Sequence, residues 1–176
     1  VLIDVSGSMD QRLSARSKSR CADVAAVFGA MVAHVADDAW VCGFNNTAKR
    51  IPMGGMSVLS DASNVPFPCG GTAMDAGFAL LMNSGFDADR FIVLSDNEVN
   101  SCYGAWYSYR DNKRTIQRCL DAYRKKVGHD VWCHAIDLQG YGTSQFIGPK
   151  VNVMAGWSDQ VLRFISIAES GFGSIV

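Results

Sequence analysis

Short apolar runs rich in β-branched residues alternate along this chain with stretches whose apolar side chains recur at helical spacing, and a chain patterned this way has few folds open to it. The strand-like runs fall at 1–5, 39–44, 48–53, 90–94, 131–138 and 151–155, and the helical patterns at 19–36, 72–82, 112–126 and 158–169. In the first helical stretch Val24, Val27, Phe28, Met31, Val32 and Val35 mark one apolar face. Thr72 with Asp75 three residues on reads as a variant capping box for the second, and Ser158 as the cap of the last. Asn45-Asn46-Thr47 separates two strand-like runs as a hairpin turn would, which puts one antiparallel strand at an edge. The pattern predicts an α/β fold with a mainly parallel, doubly wound sheet covered by helices on both faces.

The 176 residues suffice for one domain with a sizeable core. A net charge of −1 gives no global pull toward nucleic acid or membrane, so such affinity would need local clusters. Charged and small polar residues interrupt every apolar run before spanning length, and no membrane partner is expected. The six cysteines are widely spaced without a Cys-x-x-Cys pair, and Cys42 and Cys133 lie inside apolar runs. That usage suits a reducing, cytoplasmic setting better than a disulfide framework. His34, His129 and His134 show no metal-ligand spacing. The chain opens at Val1 without an initiator Met, with only three residues of strand before its first motif. Residues 1–176 are therefore expected to be one domain of a longer protein.

The chemistry concentrates in Asp4-Val5-Ser6-Gly7-Ser8, where three hard oxygen donors fall on alternate residues as the chain leaves a strand. In an open parallel sheet, functional loops gather at the carboxyl ends of the strands, beside the point where strand order reverses. Asp96 occupies that position after the run 90–94, and Thr72 opens the helix that feeds it, so Thr72 belongs at the same edge. Singly, the carboxylates are explained as loop formers, the serines as a Gly-Ser turn and Thr72 as a helix cap. Their convergence from three segments points instead to one divalent cation held by Asp4, Ser6, Ser8, Thr72 and Asp96. The all-oxygen set suits Mg²⁺, with Mn²⁺ or Ca²⁺ as alternatives, and is wrong for zinc. Hydroxyl donors add no negative charge, so the ion would stay electrophilic enough to accept a carboxylate from a protein partner.

Asp4-Val5-Ser6-Gly7-Ser8-Met9, Gly70-Gly71-Thr72 and Ser95-Asp96 resemble the metal-ion-dependent adhesion site of von Willebrand factor A domains. The resemblance implies direct coordination by Ser6, Ser8 and Thr72, with Asp4 and Asp96 acting directly or through water. It also implies a Rossmann-like sheet of six strands with one antiparallel edge strand. Asp96-Asn97-Glu98, the segment 137–143 and Ala155-Gly156-Trp157-Ser158 are similar to the carboxyl-terminal domain of Ro 60 kDa autoantigen (TROVE) proteins. In that family a ring of helical repeats precedes this domain and binds Y RNA and the ends of misfolded non-coding RNAs. No such ring lies within this chain, so an RNA partner is expected to be held outside it.

Two basic segments follow the metal motifs. Arg12, Arg16, Lys18 and Arg20 come after the first, and Arg110, Lys113, Arg114, Arg118, Arg124, Lys125 and Lys126 after Asp96. Tyr103, Trp106, Tyr107 and Tyr109 interleave with the second, as on surfaces that stack bases and neutralise phosphates. Arg12, Arg16, Tyr103, Trp106, Arg110, Lys113 and Arg114 are the candidates for RNA contact. The competing explanation is a packed aromatic lid with cations on solvated helix faces.

The resulting expectation is a non-catalytic, metal-dependent binding module of a Ro-like ribonucleoprotein. A Mg²⁺-dependent phosphoryl-transfer enzyme is the rival, but an aspartyl-phosphate site would want a second carboxylate near position 6, where this chain has serine. No Lys or His is placed by sequence as its general acid or base. An extracellular adhesion domain is the third possibility, and the scattered cysteines weigh against it.

Overall fold

The computed structural model describes residues 1–97, 112–141, 145–158 and 160–171, with 112–115 described by backbone alone. Six strands form one sheet: β1 (Leu2–Asp4), β2 (Cys42–Phe44), β3 (Ala48–Arg50), β4 (Arg90–Ser95), β5 (Trp132–Asp137) and β6 (Val151–Ala155). Their order is β3-β2-β1-β4-β5-β6. Every pairing is parallel except β2 with β3, the hairpin whose turn closes through Asn45 N–H donating to Thr47 O at 2.8 Å. The helices are α1 (Cys21–Val35), α2 (Val58–Ala62), α3 (Met74–Ser84), α4 (Asn112–Val127) and α5 (Val161–Ser170). The doubly wound sheet with one antiparallel edge strand is the architecture expected from the sequence.

The period-2 geometry of β1 divides the core. Leu2 packs with Phe44, Phe78, Phe91, Val93 and Tyr123 on the face covered by α3 and α4. Its neighbour Ile3 packs with Phe28, Ile92, Leu94, Ile136 and Ile165 on the face covered by α1 and α5. Gly29 lets α1 approach that closely, because a Cβ there would stand 2.5 Å from Ile3 Cδ1. Cys42 and Cys133 are wholly buried, and burial pushes both thiols up to about 12, as inert core residues behave. Among the described residues no helix is long and apolar enough to cross a membrane.

Several local boundaries differ from the sequence expectation. The helix expected from Thr72 starts at Met74, with Ala73 at its N-cap and no side-chain cap. Thr72 thus lies two residues before the helix, in a loop that tertiary hydrogen bonds hold in a non-helical course. Ser158 lies outside α5, which starts at Val161, although the Ser158 carbonyl accepts from Val161 N–H. At α1 the capping box is made by Arg20 and Asp23, a pair no propensity rule picks out. The short helix α2 went unrecognised; it is capped by Ser57 and pinned by Asp61, whose carboxylate accepts from Gly54 N–H, Gly55 N–H and His34.

Candidate metal centre

Strand order reverses between β1 and β4, and the predicted donors collect where these two adjacent strands end. Asp4 is the last residue of β1 and is fully buried. Its Oδ1 accepts from Ser6 N–H at 2.8 Å, and its Oδ2 accepts from the Ser95 hydroxyl at 2.6 Å. The chain then turns into a 3-10 helix over Gly7–Asp10, with Ser6 at the N-cap in extended conformation. Ser6 makes no side-chain cap bond there. Its hydroxyl instead lies 3.1 Å from that of Ser8, so both hydroxyls share one spot.

The second segment is stitched onto the first through backbone. Cys69 N–H donates to Val5 O at 2.8 Å, Gly7 N–H to Gly70 O at 2.9 Å, and Ala73 N–H to Asn45 O at 2.7 Å. Asn46 Oδ1 accepts from Gly71 N–H at 2.9 Å. Gly70 has φ +76°, and a Cβ there would meet the Asn46 amide at 2.9 Å, so two independent constraints favour glycine. These bonds place Thr72, fully buried, beside the end of β1. The third segment is Asp96, also fully buried, followed by Asn97 in the left-handed region with φ 59°. Asn97 N–H donates to the Ser95 hydroxyl oxygen at 2.9 Å, which shapes the turn presenting Asp96.

Burial pushes the Asp4 carboxyl up to about 7, against the hydrogen bonds from Ser6 and Ser95 that favour its ionised form, and the nearby Asp96 carboxylate adds to the rise. Among the described residues no Lys, Arg or His pairs with Asp4. Two dehydrated carboxylates side by side are costly unless a cation neutralises them. The donors are carboxylate and hydroxyl oxygens only, so the residues present fit a hard divalent ion. Cys21 also lies near this edge, where burial and the Asp96 and Asp137 charges push its thiol up and Gln139 donates to its sulfur at 2.8 Å. A neutral thiol is no competitor for such an ion.

Two residues at this edge stand in the motifs of the sequence but gain a role of their own only from the structure. Ser95 links both carboxylate loops, a role signalled only by a serine next to Asp96 that closes an otherwise apolar buried run. Asp137 ends β5, and its Oδ1 accepts from Gln139 N–H at 3.1 Å and Gly140 N–H at 2.8 Å, shaping the loop beside the centre. The Asp-to-Gly spacing of a side-chain turn was its signal.

Of the candidate RNA-contact residues, Arg12 and Arg16 are exposed on the loop between the 3-10 helix and α1. Lys113 and Arg114 fall in the first turn of α4. Tyr103, Trp106 and Arg110 lie outside the described residues, as do Tyr107 and Tyr109. Part of the basic clusters is committed to structure. Arg20 pairs with Asp10 and Asp23, Arg124 donates to Val131 O and Pro149 O, and Lys126 donates to Met82 O.

A search of curated protein sequences finds no significant match. Among solved structures, the Ro (RSR) protein of Deinococcus radiodurans is similar over 93% of this chain and 34% of that chain, at 18% identity and a TM-score of 0.67. This chain thus spans about a third of that protein's length. An aerotolerance-related membrane protein of Bacteroides fragilis is similar over 96% of this chain and 94% of that one, at 12% identity and a TM-score of 0.57. The PilB minor pilin of Streptococcus sanguinis is similar over 96% and 59%, at 16% identity and a TM-score of 0.56. Likeness at such identities speaks for the fold alone. The family model described as the Ro60 vWA domain matches residues 1–133, and the chain belongs to that family.

Proposed function

We propose that this domain is a non-catalytic, divalent-metal-dependent binding module of a Ro-like RNA-binding protein that acts in the cytoplasm. The observation that carries the reading is the wholly buried Asp4 carboxylate, unpaired with any described cation and set beside Asp96 and the Ser6 and Ser8 hydroxyls. Asp4, Ser6, Ser8, Thr72 and Asp96 would hold the ion, Mg²⁺ in preference to Mn²⁺ or Ca²⁺. Once bound, the ion supplies a Lewis-acidic position open to a carboxylate of a protein partner. The described residues around it position and neutralise, and among them no Lys or His is set as a general acid or base. Non-coding RNA is the partner of the whole protein, gripped by a helical-repeat region outside this chain.

Isothermal titration with Mg²⁺ tests the centre. One site is expected, abolished by Asp4→Ala, and equal binding by both proteins sinks the assignment. Hydrolysis of phosphoesters or RNA that disappears in Asp96→Asn, but survives a remote surface substitution, would promote the enzyme reading.

A further inference from the structure

Between the 3-10 helix and α1 the chain makes a small excursion that the metal centre does not need. Residues 11–20 fold back on themselves. Arg12 and Arg20 form an antiparallel bridge, Leu13 N–H donates to Ser19 O, and Cys21 N–H donates to Gln11 O at 2.9 Å. The base of this hairpin is clamped. The Arg20 guanidinium pairs with Asp10 at 2.8 Å and Asp23 at 2.7 Å, and lies 5.0 Å over the Phe67 ring. On its other side Gln139 donates to Arg12 O, and the Tyr141 hydroxyl donates to Gln11 Oε1. Arg20 thus spends its charge on architecture. Arg12, Arg16 and Lys18 do not: all three are exposed, and no described carboxylate pairs with them.

Three cations that no described carboxylate pairs with therefore stand on a braced hairpin that starts three residues after Ser8, flanked by exposed Phe67 and Tyr141. We propose that this hairpin docks an acidic protein segment, which offers one carboxylate to the metal and neighbouring carboxylates to Arg12, Arg16 and Lys18. The proposal rests on the metal-dependent reading above and adds the chemical class of partner. Guanidinium forks match carboxylates in geometry, and a cationic rim speeds encounter with an acidic ligand. A single-stranded nucleic acid is the weaker fit. Surfaces that bind it are grooves with open aromatic faces, whereas this element protrudes, Arg20 covers one face of Phe67, and Tyr141 is bonded into the hairpin base.

The test uses the Mg²⁺-loaded chain with a fluorescent hexaglutamate peptide and an oligouridylate as probes. Combining Arg12→Glu, Arg16→Glu and Lys18→Glu should leave Mg²⁺ affinity unchanged, which also reports an intact fold. Hexaglutamate affinity should fall about tenfold or more, the scale of three lost exposed ion pairs. Removing Mg²⁺ with EDTA should weaken the peptide as well. Normal Mg²⁺ uptake with unchanged peptide affinity in the triple variant overturns this proposal alone. Tighter, hairpin-dependent binding of the oligouridylate also overturns it and makes the element an RNA surface. Failure of the unaltered chain to take up Mg²⁺ overturns the metal reading and this proposal with it.

Discussion

The Ser95 hydroxyl donates to Asp4 Oδ2 at 2.6 Å, joining the carboxyl ends of β4 and β1 inside the core. The same oxygen accepts from Asn97 N–H, so one buried hydroxyl orients both carboxylate loops. Outer-shell partners of metal ligands typically affect affinity by about 10–100-fold. Ser95→Ala should weaken Mg²⁺ binding by roughly tenfold, and Ser95→Thr should restore much of it. Calorimetry on the two variants decides: equal affinity for wild type and Ser95→Ala removes Ser95 from any positioning role.

Gly29 against Ile3 supplies a stability test independent of metal. Gly29→Ala gains about 1 kcal/mol of helix propensity but overpacks the site where a Cβ would stand 2.5 Å from Ile3 Cδ1, a cost of roughly 1–3 kcal/mol. Net destabilisation of about 1 kcal/mol is expected in denaturant melts. In an Ile3→Val background, which removes that methyl, Gly29→Ala should cost less or stabilise. The same penalty in both backgrounds would show that the contact is not the cause.

His134 predicts a pH dependence. It is fully buried, with Nε2 2.9 Å from Glu169 Oε1 on α5 and Nδ1 accepting from Asn152 Nδ2 on β6. Trp132 stacks on its ring, and Arg90 pairs with the same Glu169. Burial lowers the imidazole pKa, outweighing Glu169, with Arg90 lowering it further. The unfolded chain, titrating at about 6.5, then binds this proton more readily than the folded one. The contribution of His134 is complete above that pH and lost as pH falls through the lowered folded value. Thermal melts across this range should show His134→Gln with a flatter profile than wild type; parallel profiles refute the assignment.

RNA binding by the isolated domain should be feeble and salt-sensitive, on the order of 10⁻⁴–10⁻⁶ M as for non-specific contacts. Replacing Arg110, Lys113 and Arg114 together should flatten the salt dependence, and Trp106→Ala should weaken binding with little change in slope. Nanomolar binding in high salt would place the main RNA determinant in this domain.

The fold was legible because burial on both faces forces continuous apolar strands, and because helices facing a sheet must repeat at helical spacing. The candidate donors could be placed at one edge because they sit in short motifs at or before strand ends, where the topology gathers them. The roles of Ser95 and Asp61 were not legible, since they depend on partners that come close only after folding, and the local Arg20–Asp23 cap was not, since arginine is no usual capping residue. Asp61 meets His34 across 27 residues, and Ser95 meets Asp4 across 91. Thr72 shows the same limit in reverse. Its local pattern advertised a helix start at Thr72, but hydrogen bonds with Val5, Gly7 and the β2–β3 turn set the loop's course and the helix starts at Met74.

The hairpin at 11–20 leaves and rejoins the body of the domain at nearly one point, where Cys21 N–H meets Gln11 O. Ends that close make the length of the stretch between them almost irrelevant to the sheet, provided the Arg20 clamp is kept, because lengthening a loop between fixed ends adds little entropic cost. It is therefore a cassette. The residues between its ends can be exchanged, lengthened or reversed in charge while the strands and the candidate donors beneath them stay as they are.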